Sequence, residues 1–113
     1  MIANNKTRKL KLRAELKRMI YTLRAEYAPQ KMILFGSLAS GRVKETSDID
    51  LVIIKETNKK FTDRIGEVIG ICQPKMAADL IVYTPKEFLN LQKSEDFIKR
   101  EIIDKGKVLY EKQ

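Results

Sequence analysis

The sequence contains no histidine and only one cysteine, Cys72, and both shortages restrict the chemistry that the chain can support. A single cysteine cannot form an intrachain disulfide, and its place in an apolar pattern predicts a core residue. With no histidine, any metal site has to be built from oxygen ligands, which favours hard cations and Mg²⁺ first. The metal chemistry open to the chain is therefore that of carboxylates.

Long apolar runs are also missing. The longest uncharged apolar stretches, such as residues 51–54, are far shorter than the roughly 18 residues that a membrane span needs. The N-terminus carries basic residues with no apolar segment behind them, so the pattern of a secretory signal is absent. We therefore expect a cytoplasmic protein with no membrane partner.

Glycine and proline are scarce, with five and three residues, whereas 43% of the chain is apolar and 34% is charged. This composition is typical of a folded globular chain and not of a disordered one. Single domains most often hold about 100 to 150 residues. We expect residues 1–113 to form one domain.

Positive charge is concentrated near the N-terminus. Residues 1–30 carry eight Lys or Arg against two Glu, which is +6 of the net charge of +8. Charge blocks of this kind are often only a solvated helix face. They also suit docking to a polyanion or to an acidic partner, and the sequence leaves both interpretations open.

Apolar residues at helical spacing predict the helices. The pattern Leu12, Leu16, Met19 continues through Tyr27 and predicts a helix over residues 7–26, which Pro29 cannot extend. Three further helices are predicted. A very short one lies between Gly36 and Gly41, and another spans residues 85–92, where a capping box at Thr84 begins it. The third spans residues 61–72, with an apolar stripe of Phe61, Ile65, Val68, Ile69 and Cys72. A last helix is expected between a cap at Ser94 and Gly106.

Apolar runs of four to seven residues predict the strands, at residues 31–35, 48–54 and 77–83, with an edge strand at 108–110. Strands alternate with helices along the chain. We therefore expect an α/β or α+β fold, a small mixed sheet of three or four strands flanked by helices.

Residues 34–54 carry the candidate site. A strand ends in Gly36-Ser37, ten residues follow, and Asp48 and Asp50 open the next strand. Gly36 lets backbone approach a phosphate, and Ser37 adds a hydroxyl and an N–H at a helix start. Asp48 and Asp50 lie at i and i+2, on one strand face, where they can share one or two divalent ions.

Asp79 is an acidic residue inside the apolar run of residues 77–82. An unpaired charge would be costly there if it were buried, so the residue either faces a cation at the strand end or is a solvated strand-start residue. Beside Asp48 and Asp50, the first interpretation is favoured. Asp79 would then complete the metal shell and accept a proton from the attacking hydroxyl.

With these motifs the sequence resembles the minimal nucleotidyltransferases of the DNA polymerase beta superfamily, in which a Gly-Ser pair precedes Asp-x-Asp by ten residues. The resemblance implies that Gly36 and Ser37 hold the phosphates of ATP and that Asp48, Asp50 and Asp79 bind Mg²⁺ and form the catalytic triad. Relatives often have Ala-Arg-Gly after Gly-Ser and one further residue, which corresponds here to Ala39-Ser40-Gly41. Here Ser40 takes that position, so either Arg42 supplies the phosphate-binding cation or the chain lacks it.

Many members that resemble this chain are paired with a small all-helical HEPN protein, a toxin, and act as antitoxins by transferring AMP to its tyrosine. The resemblance therefore implies a protein adenylyltransferase that needs a partner subunit or self-association. Two alternatives stay open. One is a non-catalytic antitoxin that neutralises its partner by binding, and the other is an RNA-end nucleotidyltransferase subunit, which is less favoured because no aromatic stacking surface accompanies the basic charge.

Overall fold

The computed structural model describes residues 4–113, in which five helices and one four-stranded sheet follow each other along the chain. In order they are α1 (Asn4–Glu26), β1 (Lys31–Phe35), α2 (Gly36–Ser40), β2 (Ile49–Ile54), α3 (Phe61–Cys72), β3 (Ala78–Tyr83), α4 (Pro85–Ser94), α5 (Ile98–Asp104) and β4 (Lys107–Glu111). The predicted alternation of helices and strands is confirmed. Within this part of the chain, no helix is both long and apolar enough to cross a bilayer.

The sheet is mixed, with the strand order β3-β2-β1-β4. The central strand β1 runs antiparallel to both β2 and β4, whereas β2 and β3 are parallel and are joined by α3. This register places Asp50 opposite Phe35 on one side and opposite Asp79 on the other. The start of β2, the start of β3 and the end of β1 therefore meet at one end of the sheet.

Both faces of the sheet are covered, as the alternation along the strands requires. One face packs against α1 and α3, and the other packs against α4 and α5. In β2, the first face receives Ile49, Leu51 and Ile53, and the second receives Val52 and Ile54. Asp50 shares the second face, so the prediction that it points away from Ile49 and Leu51 is confirmed.

Helix α1 follows its predicted stripe closely. Leu12, Leu16, Met19 and Leu23 are buried in the first core, and Tyr27 closes that core just beyond the helix. Cys72, at the end of α3, is buried in the same core, as predicted.

Helix α3 buries only part of its predicted stripe: Val68 and Cys72 are buried as predicted, whereas Phe61 and Ile69 are not. Phe61 is 42% exposed and Ile69 is 47% exposed, whereas Val68 is fully buried and Arg64 is buried beside it. The guanidinium of Arg64 donates to the carbonyl oxygens of Lys59 and Val82 and to both carboxylate oxygens of Glu87, at 2.7 to 3.2 Å. An apolar stripe could not reveal that Arg64 belongs to this face, because Arg64 is a cation and its partners Val82 and Glu87 lie far away in sequence.

The segment after β3 confirms one predicted cap and corrects another. Thr84 forms the capping box with Glu87, and Pro85 occupies the first turn of α4. Ser94 was predicted to cap the next helix, but it ends α4 and its hydroxyl donates to the carbonyl oxygen of Asn90. The following helix α5 is a π-helix, a wider turn that sequence patterns do not distinguish from an α-helix.

Glu15 joins α1 to the segment that leads into β3. Its carboxylate accepts two hydrogen bonds from Arg18 and one from the backbone N–H of Lys75, and Arg18 also donates to the carbonyl oxygens of Cys72 and Gln73. The hydrogen bonds from Arg18 are the main reason that the pKa of Glu15 is lowered. Because β3 carries Asp79, this buried carboxylate helps to position one side of the candidate site.

We expect Glu15→Gln to lower the free energy of unfolding at pH 7 by about 1–3 kcal/mol, because a charged, hydrogen-bonded acceptor is lost. A carboxyl whose folded pKa is lowered stabilises the fold above its unfolded pKa and loses that effect as the pH falls through the folded value. The difference between wild type and Glu15→Gln should therefore shrink in acid. Urea titrations from pH 7 to pH 3 measure it, with Glu26→Gln, an exposed change on α1, as control. An equal loss for both variants would contradict the role of Glu15.

Candidate functional site

The turn between β1 and α2 lies directly against the carboxylate of Asp50. Gly36 has φ +76, a left-handed conformation that glycine adopts at little cost. A Cβ added at Gly36 would overlap Oδ2 of Asp50, so the carboxylate of Asp50 fits against residue 36 only because glycine has no side chain. The Gly-Ser turn is therefore in contact with Asp50, the second carboxylate of the Asp48–Asp50 pair.

Asp48, Asp50 and Asp79 form one electrostatic group. Asp50 is half-buried, Asp48 lies two residues before it just outside β2, and Asp79 is the register neighbour of Asp50 on β3. Burial, and then the neighbouring charges of Asp48 and Asp79, raise the pKa of Asp50 to about 7. Among residues 4–113, the salt bridges involve none of the three, so their mutual repulsion is not balanced by a lysine or arginine.

The chemistry of this group fits a divalent cation, although the three side chains do not form a ready-made metal shell. Unbalanced carboxylates at a strand end are the ligands that Mg²⁺ prefers, and its charge would relieve the repulsion that raises the pKa of Asp50. In the part of the chain that the structure describes, however, no group of three acidic or cysteine side chains converges closely enough to hold one ion. Asp48, Asp50 and Asp79 are therefore neighbours that would have to draw together around a metal.

The loop between α2 and β2 is fixed by a hydrogen-bond network that no sequence pattern reveals. The hydroxyl of Ser37 donates to Oγ of Ser47 at 2.9 Å, and the same Oγ accepts from the backbone N–H of Lys44 at 2.7 Å. From α1, the guanidinium of Arg8 donates to the carbonyl oxygen of Ser47 at 2.7 and 3.2 Å. Ser47 directly precedes Asp48, so this network holds the acidic pair beside the Gly-Ser turn.

Part of the N-terminal positive charge thus belongs to the site. Arg8 ties α1 to the loop, and the ammonium group of Lys9 lies next to Gly41, which ends α2 with φ +85. Neither residue stands out in sequence, because each is one basic residue among many in α1. Their role follows only from the packing of α1 against α2.

A cleft of about 470 Å³ opens beside the carboxylates, between α2 and α5. Gly36, Ser40 and Arg42 line it from one side, and Glu101 and Lys105 of the α5 segment line it from the other. Gly36 belongs both to this cleft and to the contact with Asp50, so the cleft adjoins the acidic group. Arg42 and Lys105 give it two cations, and Lys105 is paired with Glu101 at 3.1 Å.

An exposed aromatic ring stands near the same strand end. Phe97, which directly precedes α5, packs edge-on against Phe35, with the ring centres 6.2 Å apart. Phe35 precedes Gly36 and is the register neighbour of Asp50. The sequence does not connect Phe97 with the site, because the helix that follows it reaches β1 only through tertiary packing.

All six predicted site residues lie around this end of the sheet. Gly36 contacts Asp50, Ser37 fixes the loop before Asp48, Asp79 adjoins Asp50, and Arg42 lines the adjoining cleft. A carboxylate group beside a cleft with two cations can hold a metal and phosphates next to each other. That combination is the one a phosphoryl or nucleotidyl transfer requires.

Comparison with known proteins agrees with this arrangement. The sequence model of the family described as "Polymerase beta, Nucleotidyltransferase" matches residues 17–113. The fold is similar to the crystal structure of a presumed nucleotidyltransferase from Sulfolobus solfataricus, with a TM-score of 0.68, 16% sequence identity and coverage of 99% of this chain and 91% of the other. No curated protein matches the sequence. The family match spans most of the chain, which therefore belongs to the polymerase beta nucleotidyltransferase family.

Proposed function

We propose that this chain is a Mg²⁺-dependent nucleotidyltransferase that transfers AMP from ATP to a hydroxyl group of a partner protein. The observation that carries the proposal is the contact between Gly36 and the carboxylate of Asp50, with Asp48 and Asp79 alongside and the cleft adjoining. The family to which the chain belongs supports nucleotidyl transfer in general. ATP, Mg²⁺ and the protein acceptor are inferred from donor chemistry and from the resemblance.

The proposed reaction is an in-line displacement. The acceptor oxygen attacks the α-phosphorus of ATP, a new phosphorus–oxygen bond forms, the bond to the β-phosphate oxygen breaks, and pyrophosphate leaves. Asp79, which is exposed at the strand end, would accept the proton of the attacking hydroxyl. Asp48 and Asp50 would hold Mg²⁺, whose charge stabilises the phosphate oxygens. Arg42 and Lys105 would bind the leaving phosphates from the cleft.

The proposed acceptor is a small all-helical protein of the HEPN type, which the resemblance implies. The described part of the chain is one sheet with helices on both faces, and we infer that another molecule supplies the acceptor hydroxyl. A protein hydroxyl suits the open strand end, where Asp79 is accessible to solvent.

Incubation of this chain with α-labelled ATP, Mg²⁺ and a small all-helical HEPN-type protein tests the proposal. Label should appear on that protein with wild type, and should be lost with Asp48→Asn plus Asp50→Asn and with EDTA. Asp63→Asn, an exposed change in the first turn of α3, is the matched control and should leave labelling intact. Labelling that survives the double change would overturn the assignment of the two carboxylates.

Arg42→Met is expected to raise the KM for ATP about tenfold, which corresponds to roughly 1.4 kcal/mol of lost binding, because one phosphate-facing cation is removed. Arg100→Met removes an exposed cation from α5 outside the cleft lining and should change KM less than twofold. Initial rates against ATP concentration measure both. Equal KM values for wild type and Arg42→Met would show that Arg42 does not supply the cation that relatives carry at the position of Ser40.

A second candidate function is a non-catalytic antitoxin that neutralises its partner by binding. It is favoured by the fact that, within residues 4–113, the acidic side chains do not converge on a single ion site. Full neutralisation of the partner by the Asp48→Asn plus Asp50→Asn protein, without any labelling by wild type, would select this candidate.

A further inference from the structure

A groove runs along α1 on the side that faces the edge strand β4. Two adjoining cavities of about 360 Å³ each make up this α1–β4 groove, and they share Tyr21 and Arg24. It extends from Arg13 to Ala25, which is about 18 Å along the helix axis at 1.5 Å per residue. The groove is therefore long enough for three turns of a protein helix and much longer than a phosphate or a single side chain.

The floor of the groove is apolar. Leu16 and Ile20 of α1 and Leu109 of β4 form it, and the ring of Tyr21 stands 77% exposed at its edge. Leu16 is buried and Ile20 is partly buried, so the exposed apolar surface of the groove comes from Leu109, which is 37% exposed, and from Tyr21. Tyrosine and arginine, together with tryptophan, are enriched among the few residues that carry most of the binding energy of protein interfaces.

The charges along the groove are all of one sign. Arg13, Lys17 and Arg24 line it, whereas the lining of both cavities includes no acidic side chain. The guanidinium of Arg24 lies 4.7 Å from the ring centre of Tyr110, which holds it over the groove. An occupant with complementary charge has to carry carboxylates or phosphates beside an apolar surface.

We propose that the α1–β4 groove binds an acidic amphipathic helix of a partner protein, with apolar side chains on the groove floor and carboxylates against the three cations. A second copy of this chain is disfavoured, because pairing the groove with itself would bring Arg13, Lys17 and Arg24 of both copies together. Nucleic acid is disfavoured because a base can stack on Tyr21 but the apolar floor of Leu16, Ile20 and Leu109 then stays uncovered. The proposal concerns a surface outside the nucleotide site and does not depend on the proposed reaction.

The test uses the full chain and a labelled 18-residue helical peptide of leucine and glutamate, with the leucines on one face. Fluorescence anisotropy should show that Lys17→Glu and Tyr21→Ser each weaken binding about tenfold, because a paired cation or an aromatic contact is lost. Lys11→Glu is the matched control, since Lys11 is exposed on the same helix outside the groove lining. It should change the affinity less than threefold.

Four results would overturn the proposal. The first is equal weakening by Lys11→Glu and Lys17→Glu, which would mean that the peptide is attracted by net charge alone, and the second is equally tight binding of a peptide with the same residues in scrambled order. The third is displacement of the peptide by single-stranded RNA whose own affinity is lower for Lys17→Glu. The fourth is self-association of this chain in sedimentation experiments that Tyr21→Ser abolishes. Circular dichroism and thermal unfolding check that each variant is folded. Because none of the substituted residues belongs to the nucleotide site, failure of this test leaves the proposed reaction unaffected.

Discussion

Replacing Asp50 by asparagine should reduce nucleotidyl transfer roughly a thousandfold, about 4 kcal/mol of transition-state stabilisation, while making the metal-free protein more stable. Activity falls because the half-buried carboxylate beside Gly36 is the proposed metal ligand and asparagine is a weaker, neutral one. Stability rises because burial and the charges of Asp48 and Asp79 disfavour the ionised form of Asp50. One substitution therefore moves activity and stability in opposite directions.

The pH dependence of that stability gain follows from the sign of the pKa shift. Asp50 titrates at about 7 in the fold against an ordinary value of 3.8, so the unfolded chain holds fewer protons than the fold between these values. The cost to the wild type is therefore absent near pH 4, grows as the pH rises, and is complete above pH 7. In EDTA at pH 8, we expect the free energy of unfolding of Asp50→Asn to be about 1–2 kcal/mol higher than that of wild type. Near pH 4, the free energies of unfolding of the two proteins should be equal.

Mg²⁺ should reverse the order of stability. A cation that binds only the folded wild type stabilises it by mass action, whereas Asp50→Asn gains much less. Thermal unfolding with EDTA and with Mg²⁺, at pH 8 and pH 4, measures all of these effects, with Asp63→Asn as the control. A variant that is less stable than wild type in EDTA at pH 8 would show that Asp50 is held by interactions that outweigh the repulsion.

Much of the site could be predicted from sequence because its parts lie at strand ends. Alternation fixed which side of β2 Asp50 would occupy, and the parallel pairing of β2 with β3 then brought Asp79 beside it. The Gly-Ser turn preceded Asp48 and Asp50 by ten residues, a connection short enough to return the chain to the same sheet end. Local pattern and simple topology were sufficient for these contacts.

The supporting contacts could not be predicted, because they join residues far apart in sequence through polar groups. Arg8 reaches Ser47 across 39 positions, and Arg64 reaches Glu87 across 23. A buried arginine interrupts the apolar stripe on which the interpretation of α3 depended, and its hydrogen bonds offset the cost of burying its charge. Hydrophobic periodicity indicates which apolar residues are buried, but it does not indicate which buried polar residues form hydrogen bonds or with which residues.

The position of α5 at the nucleotide site could not be predicted from the sequence either. Its π-helical turn and its packing against β1 bring Phe97 to Phe35, and its C-terminal end brings Lys105 to the cleft. Sequence indicated a helix there but not which end of the sheet it would cover. The cleft beside the carboxylates is thus a product of tertiary packing, although the carboxylates themselves were visible as a motif.

Gly36→Ala should both destabilise the fold and impair transfer, because the new methyl group has no free space. Its Cβ would overlap Oδ2 of Asp50, and alanine at φ +76 adds the strain of a left-handed conformation. We expect the free energy of unfolding to fall by about 2–4 kcal/mol. The rate of nucleotidyl transfer should fall by roughly a hundredfold or more, since a displaced metal ligand misaligns the reacting groups.

Gly66→Ala provides the matched control for this substitution. Gly66 lies inside α3, and a Cβ added there meets nothing within 4 Å, so alanine should raise the free energy of unfolding by about 0.5–1 kcal/mol and leave transfer unchanged. The collision with the Asp50 carboxylate is isolated by adding Gly36→Ala to an Asp50→Ala background, where the backbone strain of about 1–2 kcal/mol and one close contact with Cβ of residue 50, at 3.3 Å, should remain. Urea unfolding of the four proteins in this cycle gives the coupling energy. A coupling near zero would mean that the Asp50 carboxylate is free to move away from the turn, and that the Gly-Ser turn does not define its position.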